Sequence, residues 1–138
     1  MATILIAEDE KEMREILADC MRRGGHACIT AEDGIEAVMA LKNHAVDLAI
    51  LDIMMPGLNG YQTCLEIRKC SNAPILFLSA RTKDSDKTLG FSSGGDDYLA
   101  KPFSYNELIS RAKALIRRYQ IYRGKDDSGV TASDAAAQ

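Results

Sequence analysis

Acidic, hydroxyl and ammonium side chains follow the short apolar runs of this sequence. These side chains are Glu8 and Asp9 after the first run, Asp52 after the third, Ser79 after the fourth and Lys101 after the last. In an open parallel sheet, ligands bind at the carboxyl ends of the strands, so these side chains are expected to converge at one edge. A single polar residue after a strand is expected by chance. A matched set of three carboxylates, a hydroxyl and an ammonium group is not.

This set of side chains suits phosphoryl transfer. Three crowded carboxylates repel one another and raise their own pKa values unless a cation joins them. Carboxylate oxygens, with a backbone carbonyl and water, suit Mg²⁺ in octahedral geometry. The metal and Lys101 would neutralise charge growing on a phosphoryl group, and Ser79 could donate a hydrogen bond to it. Asp52 would then be the nucleophile, because carboxylates form acyl phosphates.

Each of these residues also has a purely structural interpretation. Glu8–Asp9 could be the N-cap and first-turn acids of the helix that follows. Asp52 could be a turn residue, and Lys101–Pro102 could be a charged turn. Ser79 alone is uninformative, and Tyr98 judged by its spacing alone is more typical of a core position. The joint occurrence at strand ends favours the phospho-acceptor interpretation.

Alternation of strands and helices defines the predicted fold. The predicted strands are Ile4–Ala7, Ala27–Thr30, Leu48–Leu51, Ile75–Leu78 and Tyr98–Ala100. Three of them are nearly continuous apolar runs, as is typical of parallel strands covered on both faces. Strands that alternate with helices imply right-handed crossovers. The sequence therefore predicts an α/β domain with a doubly wound five-stranded parallel sheet and helices on both faces.

Helical spacing of apolar residues predicts which helix faces are buried. The predicted faces are Met13, Ile16, Leu17 and Cys20 in the first helix, Ile35, Val38 and Met39 in the second, and Tyr61, Cys64 and Leu65 in the third. Gly24–Gly25 should end the first helix. Ser104 and Glu107 form a capping box for the last helix. The segment Thr82–Phe91 offers little to a core and is expected to be weakly anchored if helical.

Composition places the chain among soluble globular proteins. The 138 residues suit one domain, and 46% are apolar and 27% charged. No apolar run approaches the roughly 18 residues of a membrane span. The four cysteines show no C-x-x-C spacing, and a cytoplasmic setting is expected. The net charge of −3 disfavours nucleic-acid binding by this chain itself. We expect a domain over 1–121 and a flexible tail or linker over 122–138.

Four motifs carry a family resemblance. They are Glu8–Asp9, the stretch Leu51–Gly60 (LDIMMPGLNG), Ser79–Ala80 and the stretch Asp97–Phe103 (DYLAKPF). Together they resemble the signature of response-regulator receiver domains of two-component systems, which have a flavodoxin-like (βα)5 fold. The resemblance covers about Thr3 to Tyr119. It implies a signalling phospho-acceptor, capable only of its own phosphorylation and dephosphorylation, that is fed by a sensor histidine kinase.

The resemblance also implies individual roles for the site residues. Asp52 would be the phospho-acceptor, and Asp9 a direct Mg²⁺ ligand. Glu8 would help through water, and the backbone carbonyl of Met54 would be a further ligand. Lys101 would pair with Asp52 or with its phosphoryl group.

Two further features follow from the same resemblance. A cis Lys101–Pro102 bond would position the lysine. Ser79 and Tyr98 would form a switch, in which the Tyr98 ring moves into the space that the Ser79 hydroxyl vacates on phosphorylation.

The last strand and the last helix resemble the OmpR/PhoB subfamily, whose members carry a winged-helix DNA-binding domain. In that subfamily, charged residues on the fourth helix, the fifth strand and the fifth helix form pairs between subunits of the active dimer. The matching pairs are Lys87 with Glu107, Asp97 with Arg111, and Asp96 with Arg118. The alternative is a solvated charged face. The resemblance therefore implies a phosphorylation-dependent homodimer, with DNA contacted only through a separate domain.

Two other classes of protein compete with this interpretation. A Mg²⁺-dependent phosphatase could also act through an aspartyl phosphate, but such enzymes usually place a second acid two residues after the nucleophile. That position is Met54 here. A flavin-binding module of similar topology would need a Ser/Thr/Gly-rich phosphate loop after the first strand, and none follows it.

Gly94–Gly95 departs from the pattern of the receiver domains, where a small apolar residue and alanine are usual before the last strand.

Overall fold

The computed structural model describes residues 2–79 and 94–132, and side chains as far as Tyr122. The strands are β1 (Thr3–Ala7), β2 (Ala27–Ala31), β3 (Leu48–Asp52), β4 (Ile75–Ser79) and β5 (Asp97–Ala100). The helices are α1 (Lys11–Arg23), α2 (Gly34–Asn43), α3 (Gly60–Arg68) and α4 (Tyr105–Ala132). All five predicted strands are confirmed, each extended by one residue at one end.

The five strands form one parallel sheet in the order β2-β1-β3-β4-β5. The chain first moves outward from β1 to β2 and then crosses to β3 on the other side of β1. That reversal is the topological switch point of a doubly wound sheet, where a crevice forms at the carboxyl ends of the strands. The predicted fold class is therefore confirmed, and the crevice lies between β1 and β3.

Two apolar layers cover the two faces of the sheet. Alternate residues of the central strands point to opposite faces, so Leu5 and Leu51 belong to the layer beneath α2 and α3. Ile4 and Ile50 belong to the layer beneath α1 and α4. Every residue of β3 and β4 is buried. Burial on both faces explains why these strands are nearly continuous apolar runs.

The predicted buried face of α2 is wrong for two of its three residues, and only Val38 is half-buried against the core. Ile35 and Met39 are 63% and 54% exposed, whereas Ala37 and Leu41 are buried. The cause is close packing of α2 on α3: a Cβ added at Gly34 would lie 2.2 Å from the Thr63 hydroxyl oxygen. Small residues face the neighbouring helix because only they allow this approach, and Ile35 and Met39 are left outside.

The other helix faces are confirmed in part. In α1, Leu17 is buried as expected, but Ile16 is 41% exposed, and Met21 completes the face instead. In α3, Tyr61 and Cys64 are buried and Leu65 is 52% exposed. Met13 and Cys20 are half-buried against the core, so a single predicted residue lies outside the buried face in each of these two helices.

The helix ends follow local sequence signals. Gly25 has a φ of 90°, the left-handed conformation expected after α1. The Ser104 hydroxyl accepts a hydrogen bond from the Glu107 N–H at 3.0 Å, as the predicted cap requires. At the other end, α4 continues to Ala132, past the point near Ile121 where regular structure was expected to stop. A linker role for 122–138 stays a prediction.

The four cysteines are free thiols. Cys64 is buried, Cys20 and Cys28 are half-buried, and Cys70 is exposed.

Over the described residues, none of the helices combines the length and apolarity that crossing a membrane requires. The segment Thr82–Phe91 lies outside the described residues.

The unusual Gly94–Gly95 pair is explained by a neighbouring aromatic ring. Gly94 has a φ of 103°, which favours glycine. A Cβ added at Gly95 would lie 2.2 Å from Cε2 of Phe77, whose ring also makes an edge-to-face contact with Tyr61 at 5.2 Å between centroids. Gly95 therefore leaves the room that the Phe77 ring occupies under the start of β5.

Gly95→Ala should therefore destabilise the domain. Overpacking destabilises the folded state by about 1–3 kcal/mol. The lower conformational entropy of the unfolded alanine variant offsets about 0.4–1 kcal/mol of this loss. Urea unfolding should show a net loss of about 1–2 kcal/mol. In the double variant Gly95→Ala/Phe77→Leu, the two losses should be less than additive, because the smaller side chain relieves the clash. Strict additivity would show that the two residues do not interfere.

Candidate functional site

The ends of β1 and β3 bring three carboxylates together. One oxygen from each of Glu8, Asp9 and Asp52 lies within 4.8 Å of the others. Glu8 and Asp52 are only 2% and 4% exposed, whereas Asp9 is exposed. The expected convergence of these acids is therefore present, with two of them inside the crevice and one at its mouth.

Backbone hydrogen bonds fix the strand ends that carry these acids. The Glu8 N–H donates to the Ala31 carbonyl at the end of β2, at 3.1 Å, and the Ile53 N–H donates to the Leu78 carbonyl at 3.0 Å. The start of α3 approaches so closely that a Cβ at Gly60 would lie 2.8 Å from the Asp52 carbonyl oxygen. The site consequently rests on the sheet and on a helix start, with little freedom to relax.

Lys101 reaches the same crevice from the end of β5. Its Nζ lies 3.5 Å from Glu8 Oε1 and 3.5 Å from Asp52 Oδ2, so one ammonium group is shared by two carboxylates. The Lys101 N–H donates to the Ser79 carbonyl at 2.6 Å. The Lys101–Pro102 peptide bond is cis, as the resemblance implied. Four separate strand ends thus contribute to one site.

The charge of the site is unbalanced. The pKa of Glu8 is raised to about 7, mainly because burial disfavours the charged form. The neighbouring Asp52 also raises it, whereas the Glu10 N–H and the Lys101 ammonium group lower it. The shared ammonium group therefore does not offset the burial of Glu8 beside another acid. An added divalent cation would favour the charged form of all three. Hard oxygen ligands with one face open to solvent are what Mg²⁺ takes in proteins, so the donor set fits this ion.

The Asp52 carboxylate is oriented from two sides. Its Oδ1 accepts a hydrogen bond from the Met54 N–H at 3.2 Å, and its Oδ2 faces Lys101. The Met54 side chain is 55% exposed. A methionine therefore stands at the position where aspartyl-phosphate phosphatases usually carry their second acid.

Ser79 and Tyr98 lie on neighbouring strands next to the site. Ser79 is fully buried and is in register with Ala100, while Tyr98 is 7% exposed and in register with Phe77. Residues two apart on a strand share a face, so Tyr98 and Ser79 lie on the α2 and α3 side of the sheet. Tyr98 belongs to the apolar layer on that side.

One site residue was missed by sequence reasoning. The guanidinium group of Arg14 on α1 donates from Nη1 to the backbone carbonyl of Glu8 at 2.8 Å and to that of Asp9 at 3.4 Å. Nothing in the sequence signals this contact, because it depends on how the loop after β1 folds back over the first turn of α1.

Four of the six residues expected to pair between subunits are engaged within one chain. Arg111 donates to both oxygens of Asp97 at 2.8 and 3.0 Å, and also to Glu107 at 3.3 Å. Asp96 accepts from Arg68 at 2.8 Å and from the Ile75 N–H at 2.9 Å.

The remaining members of the expected pairs are Arg118 and Lys87. Arg118 lines, with Asp96, a cavity of about 240 Å³. Lys87 lies outside the described residues.

Comparison with known proteins agrees with this geometry. A family model described as the response regulator receiver domain matches residues 4–113. The uncharacterized transcriptional regulatory protein YrkP of Bacillus subtilis is 48% identical over 128 residues, which are 93% of this chain and 55% of that protein. The chain thus spans about half the length of this curated relative.

Two solved structures share the fold. The receiver domain of the Francisella response regulator 1452 is 35% identical, with a TM-score of 0.81 over 86% of this chain and 98% of that one. The receiver domain of the sensor histidine kinase PA1611 from Pseudomonas aeruginosa has a magnesium ion coordinated in its active-site cleft. It is 30% identical, with a TM-score of 0.77 over 83% of this chain and 97% of that one. Because the family model covers most of the chain, this protein belongs to the response regulator receiver domains of two-component systems.

Proposed function

We propose that Asp52 accepts a phosphoryl group from a sensor histidine kinase in a Mg²⁺-dependent reaction. The observation that carries this proposal is the meeting of Glu8, Asp9 and Asp52 within 4.8 Å, with the Lys101 ammonium 3.5 Å from Asp52. An Asp52 oxygen attacks phosphorus, the bond from phosphorus to the donor histidine nitrogen breaks, and that nitrogen takes a proton. The acyl phosphate remains on the chain, and no second substrate is turned over.

The acids of the crevice would hold the metal. Asp9 and Asp52 would bind it directly with the backbone carbonyl of Met54, and Glu8 would hold a bound water. Mg²⁺ would supply positive charge beside the phosphoryl oxygens. The chain's own residues orient the reacting groups: the Met54 N–H holds Asp52 Oδ1, and Lys101 presents its ammonium group toward Oδ2. The magnesium in the cleft of the PA1611 receiver domain supports this assignment.

Ser79 and Tyr98 would transmit the change at Asp52. The Ser79 hydroxyl would donate to the phosphoryl group, and Tyr98 would follow it toward the sheet. Their positions on one face of β4 and β5 support this coupling, because movement at one alters the space available to the other. A bond formed at Asp52 would thus shift a two-state equilibrium of this face.

The output of the switch would be a homodimer formed through β5, α4 and the undescribed segment before β5. The charges on this surface form a network of half-buried and exposed side chains, which supports such a role, although the partners they hold are within the chain. Dimerisation would replace or share these contacts across subunits. Since the chain covers about half of a relative named as a transcriptional regulator, we propose that the dimer controls a separate DNA-binding domain, of the winged-helix OmpR/PhoB type.

Replacing Asp52 tests the phospho-acceptor directly. Asp52→Asn should abolish labelling by acetyl phosphate and Mg²⁺, because an amide does not act as the nucleophile. Intact-mass measurement would follow the adduct. Asp19→Asn is the matched control, because it removes one carboxylate from the exposed side of α1, and it should label like the parent. Undiminished labelling of Asp52→Asn would refute the assignment.

Replacing Lys101 tests the role of its ammonium group. Lys101→Gln should slow labelling at saturating Mg²⁺ by about 10²–10³, the typical cost of removing one preorganised charge-stabilising donor. Lys69→Gln removes a surface charge that pairs with Glu66 and should leave the rate unchanged. A Lys101→Gln rate equal to that of the parent would show that the lysine acts only in folding.

Charge reversal tests the dimer surface. Sedimentation should show a dimer of the chain activated with beryllofluoride and Mg²⁺, and Arg111→Asp should make it monomeric. The swap Asp97→Arg/Arg111→Asp should restore the dimer, because opposite charges again face one another both within and between subunits. Arg117→Asp, on an exposed position of α4, is the control. A dimer unaffected by Arg111→Asp would exclude this surface.

A further inference from the structure

The guanidinium group of Arg14 on α1 contacts the loop that carries Glu8 and Asp9. Arg14 Nη1 lies 2.8 Å from the Glu8 carbonyl oxygen and 3.4 Å from that of Asp9. Its side chain is half-buried. The guanidinium group therefore contacts the backbone of both acids and, among the contacts seen in the described residues, neither of their carboxylates.

Other contacts fix the Glu8 side of this loop. The Glu8 N–H is held by the Ala31 carbonyl, and Glu8 Oε2 accepts from the Glu10 N–H at 3.1 Å. Asp9 has no comparable anchor among the described residues, and its side chain is exposed. Among the described residues, the Arg14 contact is consequently the hydrogen bond that links the Asp9 carbonyl to the side of α1.

We propose that Arg14 is a positioning residue, which holds the backbone of Glu8 and Asp9 so that their carboxylates face Asp52. This inference rests on the proposed Mg²⁺ site and assigns one more residue to its support. Groups that orient metal ligands from behind typically contribute about 10- to 100-fold to metal affinity. Arg14 acts through the backbone of the ligands, so we expect an effect at the lower end of that range.

The sign of the effect separates this role from a purely electrostatic one. A positive charge close to a cation site repels the cation, so removing the charge alone would tighten Mg²⁺ binding. Removing a group that holds the ligands in place would weaken it. The two roles of Arg14 therefore predict opposite changes in the Mg²⁺ dissociation constant.

Calorimetric titration of Mg²⁺ into the parent chain, Arg14→Gln, Arg14→Lys and Arg22→Gln tests the proposal. Arg14→Gln should bind about 10-fold more weakly, and Arg14→Lys, which keeps the charge and loses the planar fork, should be intermediate. Arg22 lies on the same helix and lines the same cleft as Arg14. Arg22→Gln therefore controls for the loss of one charge and should match the parent or bind slightly more tightly.

Hydrogen exchange of the metal-free chain gives a second readout. In Arg14→Gln the Glu10 amide should exchange faster, because the Glu8 carboxylate that accepts its hydrogen bond is less firmly positioned. The exchange rates of the Leu17–Met21 amides should be unchanged. Faster exchange throughout α1 would indicate loss of the helix and would overturn the proposal.

The titrations also separate the two hypotheses. A parent chain that binds no Mg²⁺ would overturn the proposed function and this inference together. A parent that binds Mg²⁺, with Arg14→Gln binding equally or more tightly, would overturn the positioning role alone.

Discussion

Repulsion among three carboxylates at the carboxyl edge of the sheet is the constraint on which the rest of this site depends. Two of the acids are almost fully buried, and one lysine is shared between them at 3.5 Å from each. Burial is the main cause of the raised pKa of Glu8, about 7, and the neighbouring Asp52 adds to it. A divalent cation is the simplest addition that would balance the negative charge of three acids in so small a space.

The fold supplies the rigidity that keeps these like charges together. The acids lie at the point where the strand order reverses, so that β1 and β3 are adjacent and their ends cannot move apart without breaking the sheet. Gly60 lets α3 begin directly against Asp52, and the lysine follows the last residue of β5, where its N–H donates to the Ser79 carbonyl at the end of β4. Crowded charge is tolerated because four strand ends and two helix starts determine the position of each group.

Strands and site acids could be predicted from the sequence because they depend on local patterns. Continuous apolar runs mark buried parallel strands, and the residues that end them must share one edge. The face of α2 could not be predicted in this way, since Gly34 lets that helix pack on Thr63 through its small residues and leaves Ile35 outside. Arg14 was missed because its partners are backbone carbonyls, which every sequence contains.

Charge pairing on the last helix shows a similar limit. The signs of Asp97 and Arg111 are compatible with pairing between subunits, but the two residues also reach one another within a single chain. Sequence alone does not distinguish those arrangements. The Gly94–Gly95 pair could be recognised as unusual, whereas its partner Phe77 emerged only from packing.

Anomalous scattering from a crystal grown with Mn²⁺, a stand-in for Mg²⁺, would show whether the acids of the crevice hold a divalent cation. One strong peak is expected between the carboxylates of Asp9 and Asp52, near the carbonyl of Met54. A well-ordered crevice without a peak, at a Mn²⁺ concentration that supports labelling of the chain, would contradict this expectation.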